Sequence, residues 1–493
     1  MPRKQHLWIL TIVFLIGVSP IFAQAPDTVW TKIYGLDHHE IGECIQKTSD
    51  NCYIIAGNTH SISFGGYDAY LLKTDLNGDT LWTRHYGSPQ IEYGRWVVET
   101  ADGGFMIVGS YNYYEPYATR DVYMVKTDSE GFETWTRTYG GPEDDYARQI
   151  KALPSGDFIV IGSTKSYGSG DYDFWLLYLN AYGDTLWTNT IGGPYCEYSY
   201  AVEPTSDNGF IIAGVKNGSD ANAEDVYIVK TNITGDTLWT RKYGYSRGDR
   251  AFDIKETSDG GFIVVGYMTS ESSSYLRDMY ILKTDSNGDT LWTTTFDGGF
   301  EDWANSVRIN NTGNYMITGK TERVQPDTNY VAVLCYNADG DTVWTKQISR
   351  GIYSEGNCII QADDGGYVIT GSTTNFYDDD WERDLYMVKL AAESTDIDDY
   401  PDKPVPDTFI LMGNNPNPFN ANTTIKYSLP TLSEVTLDIY DVLGRKVQTF
   451  HESRLPAGSH SLIWNADGFS SGVYFYKVTA GEFERTEKMI LLK

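Results

Sequence analysis

Six carboxylates stand in one register through most of this chain: Glu40, Glu92, Asp145, Glu197, Asp249 and Asp302 recur every 52 or 53 residues, and Ser354 takes the seventh place. Gathered at a common channel mouth, such a ring would concentrate cations or bind a polyhydroxy ligand. Two of its members at a suitable separation would serve as acid and base on a glycosidic bond. The same column would equally cap backbone N–H groups of a recurring turn, and repetition in nearly every copy favours that structural use.

Other chemistry-bearing residues are repeated too. Asp75-x-Asn77-Gly78-Asp79 resembles half of a calcium loop, but it lacks the later bidentate Glu and reads as a hairpin turn. Lys73, Lys126, Lys230, Lys283 and Lys389 occupy one strand position, which points to surface packing rather than to a catalytic amine. No Ser/His/Asp grouping or carboxylate pair stands out among the thinly spread histidines, and there is no CxxC or zinc-ligand spacing. The net charge of −29 excludes nucleic acid as a partner.

What must position these residues is a repeat. Trp30, Trp82, Trp135, Trp187, Trp239, Trp292 and Trp344 share the same spacing, mostly within a version of Gly-Asp-Thr-Leu-Trp-Thr. An aromatic residue follows each Trp after 23 positions (Tyr53, Phe105, Phe158, Phe210, Phe262, Tyr315, Tyr367), and a glycine four further on. A small residue precedes that aromatic by 11 positions, from Gly42 to Gly356. Asp-Gly and Asn-Gly turns between alternating apolar segments define four strands per copy. The expected fold is therefore all-β, a seven-bladed β-propeller over 26–390 with four-stranded blades. The N-terminal strand carrying Trp30 closes the last blade, because the seventh copy lacks a Trp strand of its own.

Length varies only between the glycine column and the Asp of the third strand, and loops free to vary on a rigid scaffold are where binding resides. The aromatics of these loops are Phe64 and Tyr67, Tyr113, Tyr114 and Tyr117, and Phe376, Tyr377 and Trp381, in three blades that ring closure makes consecutive. Aromatic faces beside amides and carboxylates suit a glycan or a protein surface.

The ends of the chain differ from the middle. Arg3 and Lys4, the apolar run Leu7–Val18 and Ala23-Gln24-Ala25 form an expected signal peptide over 1–25, with no transmembrane anchor left in the mature chain. Residues 391–408 read as a linker, and 409–493 as a small Ig-like β-sandwich with alternating strands. Of five cysteines at least one is unpaired. Cys44 and Cys358 share a repeat position in the first and last copies, where either a bridge or two buried thiols would fit.

Two resemblances follow from these motifs. The Asp-x-x-Gly-x-x-Leu-Trp stretch resembles the docking-Trp repeat of quinoprotein-type propellers. That implies the fold but no cofactor, since the adjacent cysteines often found at quinone sites are missing. Asn415-Pro416-Asn417-Pro418-Phe419-Asn420, Ile439-Tyr440-Asp441, Gly444-Arg445, Trp464, Ser471-Gly472-Val473-Tyr474 and the tail Lys488–Lys493 resemble the type A sorting domain of type IX secretion. The resemblance implies export across a Gram-negative outer membrane through the type IX machinery, to the medium or the cell surface. The function expected is non-catalytic binding or adhesion, with a secreted polysaccharide hydrolase or lyase as the alternative.

Overall fold

The computed structural model describes residues 25–35, 38–63, 65–113, 119–217, 224–244, 248–269, 276–324, 327–374, 382–393, 409–415, 417, 419, 422–431, 433–455, 458–466, 468–481 and 483–492. Nearly all of the expected signal segment and linker lie outside them, as do Phe64, Tyr114, Tyr117, Phe376, Tyr377 and Trp381. The chain divides into two compact units, Met1–Glu393 and Ser394–Lys493.

The first unit is propeller-like, with seven four-stranded antiparallel sheets among its described residues. In the first, Glu40–Lys47, Tyr53–Thr59, Asp68–Thr74 and Thr80–Tyr86 pair in chain order, and the next five sheets repeat that order. The seventh is assembled from both ends of the unit: Ser354–Gln361, Tyr367–Thr374 and Arg383–Leu390 are joined by Thr28–Tyr34, with Trp30 opposite Lys389. First strands pack on the preceding sheet: Ile91–Glu99 lies against Tyr53–Thr59, and Glu40–Lys47 against Tyr367–Thr374 of the seventh. The second strands are apolar and wholly buried in several copies, as expected for strands covered on both faces.

The tryptophans join sheet to sheet. The turn glycine before each Trp strand has positive φ (Gly78 77°, Gly131 77°, Gly288 80°), so an L side chain is disfavoured there. The indole of the preceding Trp strand fills the space a side chain would need: a Cβ on Gly78 would lie 3.0 Å from Trp30, on Gly131 2.7 Å from Trp82, and on Gly288 2.9 Å from Trp239. Tyr86 and Tyr139 donate hydrogen bonds of 2.6 Å to the carbonyls of Gly131 and Gly183, and where Ile191 replaces the tyrosine, Asn189 Nδ2 bonds the Gly235 carbonyl at 2.7 Å. The indoles of Trp82, Trp187, Trp239, Trp292 and Trp344 also meet the next sheet's aromatic column, Trp82 with Phe105 at 6.0 Å. Trp344 faces a different end: its Nε1–H donates to Glu393 Oε1 at 3.1 Å.

The lysine column differs from its surface expectation. Lys73, Lys126, Lys230, Lys283 and Lys389 are only 2–7% exposed, and each reaches the carboxylate of a turn Asp: Asp50, Asp102, Asp207, Asp259 and Asp364, at 2.6–2.9 Å. The aliphatic stem is buried while the ammonium holds the turn.

In the second unit Ile410–Asn415, Asn422–Leu429 and Gly458–Asn465 form one antiparallel sheet, and Lys446–Leu455, Ser433–Tyr440, Gly472–Ala480 and Phe483–Leu491 another. Their buried faces share a core around Trp464, whose Nε1–H donates to Gln448 Oε1 at 3.0 Å. Two of these strands, Ile410–Asn415 and Lys446–Leu455, lack the clean alternation that marks the others and were not expected from sequence.

Two outcomes are predicted. Gly288→Ala forces an L residue to φ 80° against Trp239, and should cost about 1–2 kcal/mol in urea unfolding. Wild-type-like stability would count against the Trp–Gly contact as a determinant. Burial opposes ionisation of Asp102 and Asp259, but the Thr100 and Thr257 hydroxyls and the Lys126 and Lys283 ammoniums outweigh it and hold both carboxyls down to about 2, against an ordinary 3.8. Folded pKa values below the unfolded ones mean stabilisation that is complete above pH 4 and lost as pH falls toward 2. These carboxylates are more than half exposed, so screening leaves about 0.5–1 kcal/mol per pair. The unfolding midpoint should fall over that window, and less steeply for Lys126→Met with Lys283→Met; parallel profiles would refute the assignment.

Candidate ligand-binding site

The first strand of every sheet carries the same irregularity. In each, pairing skips one residue just after the small column: Gly42 pairs with Gly57 and Cys44 with Ala56, leaving Glu43 unpaired. The skipped residues are Glu43, Arg95, Arg148, Tyr200, Phe252, Asn305 and Asn357. A bulge frees a side chain from the alternation of its strand and re-aims it. All seven line one cavity of about 410 Å³, together with Ile41, Trp96, Trp303, Glu355 and Arg383. That volume lies within the usual ligand-pocket range of roughly 300–1,000 Å³.

The wall is asymmetric. On one side Glu43 pairs with Arg95 and Glu355 lies 3.7 Å from Arg383, whose guanidinium covers the Tyr353 ring at 4.1 Å. Opposite runs an aromatic arc: Tyr200 meets Phe252 edge-on at 5.0 Å, and Phe252 lies 6.3 Å from Trp303. Asn305 and Asn357 donate to the carbonyls of Gly356 and Gly42 at 3.0 and 2.9 Å, which fixes their amides. Arg148 stands between the rings of Tyr146 and Tyr200, at 5.3 and 5.2 Å.

Farther along the same strands a buried charge network fills the interior. Lys151 bonds Glu203 at 2.8 Å; Lys255 reaches Glu203 at 3.4 Å and Asp253 at 2.6 Å; Arg308 meets Asp253 at 3.1 Å. Asp253 also accepts the backbone N–H of Ile254 and of Val307 at 2.9 and 3.0 Å. Burial opposes its ionisation, yet Lys255, Arg308 and Lys151 hold it down to about 2. Burial lowers the Lys255 ammonium. Arg308 lies 3.9 Å from Cys358 Sγ, and Cys358 and Cys44 are both buried free thiols.

The six-carboxylate column takes another course. Glu40, Glu92, Asp145, Glu197, Asp249 and Asp302 are at most 1% exposed, and none of them lines that cavity. Oxygens of Glu92, Asp145, Glu197 and Asp302 are turned back on the segments joining one sheet to the next, and those of Glu40 and Asp249 reach the second strand of their own sheet. Asp145 accepts Gly141 N–H at 2.7 Å, Glu197 accepts Gly193 N–H at 3.1 Å, and Asp302 accepts Gly298 N–H at 2.6 Å. Asp249 accepts Thr269 N–H at 2.9 Å, Glu40 the Thr59 hydroxyl at 2.7 Å, and Glu92 the Ser88 hydroxyl. Carboxylates committed to capping are not presented to a ligand as a ring. Near Asp302 lies a group able to take a hard cation: Asp278, Asp297 and Asp302, with ligand oxygens within 4.8 Å of one another. Asp297 stands where five other joining segments have Gly35, Gly87, Gly140, Gly192 and Gly244, and the remaining one Ser349.

Of the loop aromatics, two are described. Tyr67 is half-buried among His39, His60 and Tyr93, at 5.2–6.3 Å. Tyr113 is 39% exposed and donates to Asp121 at 3.0 Å. The bulge column was missed in the sequence reading. Its signal was present: next to a column that is always small stands one in which the seven copies show five residue types.

Fold and sequence together define a secreted or cell-surface all-β repeat protein with a type IX sorting tail. Residues 415–492 match the family described as Secretion system C-terminal sorting domain. The chain is 24% identical over 204 residues to the regulatory protein FlaEY of Caulobacter vibrioides, an alignment covering 36% of this chain and 21% of that protein's length. Similar solved structures include PorZ, a bacterial surface component of the type IX secretion system of Porphyromonas gingivalis, at 10% identity and TM-score 0.41, covering 90% of this chain and 58% of that one. The Neurospora crassa Pan2 WD40 domain matches at 10% identity and TM-score 0.46, covering 74% and 96%. Among the described residues no helix is long and apolar enough to cross a membrane.

Asp253→Ala would leave Lys255 and Arg308 buried without their counter-charge and should cost about 3–5 kcal/mol in chemical denaturation. A loss below 1 kcal/mol would mean the network is not what holds these strands.

Proposed function

We propose that this protein is a type IX-exported binding or adhesion protein whose first unit is a closed seven-bladed propeller over 26–390, with the axial cavity as its ligand site. A signal peptide over 1–25, a linker over 391–408 and an Ig-like sorting domain over 409–493 complete the chain in this reading. The observation that carries it is the bulge column: one side chain from each sheet turns into a single cavity, and these residues are not repeated. Packing demands would have made them alike, as they did the small column that precedes them.

The cavity lies toward the ends of the first strands where Glu40 pairs with Thr59, the end from which the loop before Asp68 departs. Tyr67 and Tyr113, from the variable loops, then belong to the rim of the same site; Phe64, Tyr114, Tyr117, Phe376, Tyr377 and Trp381, which lie outside the described residues, stay candidates from sequence alone. Aromatic faces flanked by fixed amides and charged groups suit a glycan, because CH-rich sugar faces stack on rings while hydroxyls meet polar groups. The committed state of the carboxylate column supports binding over acid–base catalysis.

The purified mature protein should be retained on a subset of glycans in an array. Phe252→Ala combined with Trp303→Ala should weaken retention at least tenfold while circular dichroism stays unchanged. No retention on any glycan, or retention indifferent to that pair, would sink the assignment of this cavity.

A further inference from the structure

The charge of the cavity is opposite to that of the chain. The sequence carries a net −29, yet the cavity wall holds Arg95, Arg148 and Arg383 against Glu43 and Glu355. The network beyond it holds Lys151, Lys255 and Arg308 against Glu203 and Asp253. Each layer has one cation in excess, and the two excesses lie along one set of strands.

The unmatched cation in the wall is identifiable. Arg95 is neutralised by Glu43, and Arg383 lies beside Glu355. Arg148 has no carboxylate partner among the described residues, and its Nε is buried without a hydrogen-bond acceptor. Its only close company is the faces of Tyr146 and Tyr200, a stacking that holds the guanidinium plane without occupying its N–H donors. A buried donor left without an acceptor is unfavourable, and an incoming anion would relieve that.

We propose that the axial cavity binds an acidic carbohydrate, with Arg148 as the seat of its carboxylate and the neighbouring Tyr200–Phe252–Trp303 arc as the platform for the sugar ring. A guanidinium presents paired N–H groups that match a planar carboxylate in a bidentate pair. The ring platform next to it places the carboxylate on the sugar itself, which describes a uronic acid. The inference rests on the cavity being the ligand site, and it deepens that reading by naming the ligand's charge.

The test is isothermal titration of the mature protein with tri-galacturonate and with its carboxyl-reduced, neutral counterpart. The acidic sugar should bind at least tenfold more tightly, and the difference should shrink between 50 and 500 mM salt, about the range over which the Debye length falls well below the cavity dimensions. Arg148→Met should abolish the preference for the acidic sugar, while Arg148→Lys should restore part of it. Equal affinity for both sugars, with Arg148→Met silent, would overturn the acidic ligand while leaving the cavity as the site. Binding indifferent to both Arg148→Met and Phe252→Ala would overturn the cavity itself. The carboxyl-reduced ligand gives the answer on wild-type protein even where a variant fails to fold.

Discussion

The contact on which the first unit depends is a tryptophan laid on a glycine of the next sheet. A four-stranded sheet cannot cover its own faces, and here the outermost strand reaches beyond its sheet to do so. The indole needs a neighbour without a side chain, and the turn needs a residue with positive φ. One glycine meets both demands, as at Gly78, Gly131 and Gly288. The tyrosine that bonds the same glycine's carbonyl fixes the turn's orientation. Because Trp30 comes from the N-terminal strand and meets Gly78 of the first sheet, the rule that joins consecutive sheets also relates the seventh sheet to the first.

That dependence explains what could be read in the sequence. The Trp, aromatic, glycine and small columns recur because each answers a packing demand set by neighbouring sheets, so their spacing reported the strands and their order directly. The lysine column was visible as a column but misassigned in environment. Nothing local distinguishes a surface lysine from one whose stem is buried, and the Asp that receives Lys283 lies across a turn at Asp259. The six carboxylates were legible as structural caps for the same reason they were conspicuous: they repeat. The strands Ile410–Asn415 and Lys446–Leu455 escaped because polar and glycine residues interrupt their alternation.

The cavity was the least legible feature, and the reason is physical. A side chain on a regular strand points to a face fixed by its parity, but a skipped residue in the ladder has no parity. Only the hydrogen-bond register reveals that Arg148 or Phe252 is the skipped one. From sequence alone these positions look like noise beside a conserved-looking small column.

The bulge also accounts for the diversity tolerated there and not in the small column that precedes it. Residues on either side are committed: Ala251 lies within the core between sheets, and Asp253 anchors the buried network. The skipped residue bears neither duty, so Glu, Arg, Tyr, Phe and Asn occur in seven copies of one backbone. A set of repeated sheets thus acquires an asymmetric cavity without altering the contacts that hold the sheets together. Its excess of cations stands against a chain of net −29, so within the first unit the cavity is a place where an anion meets net positive charge.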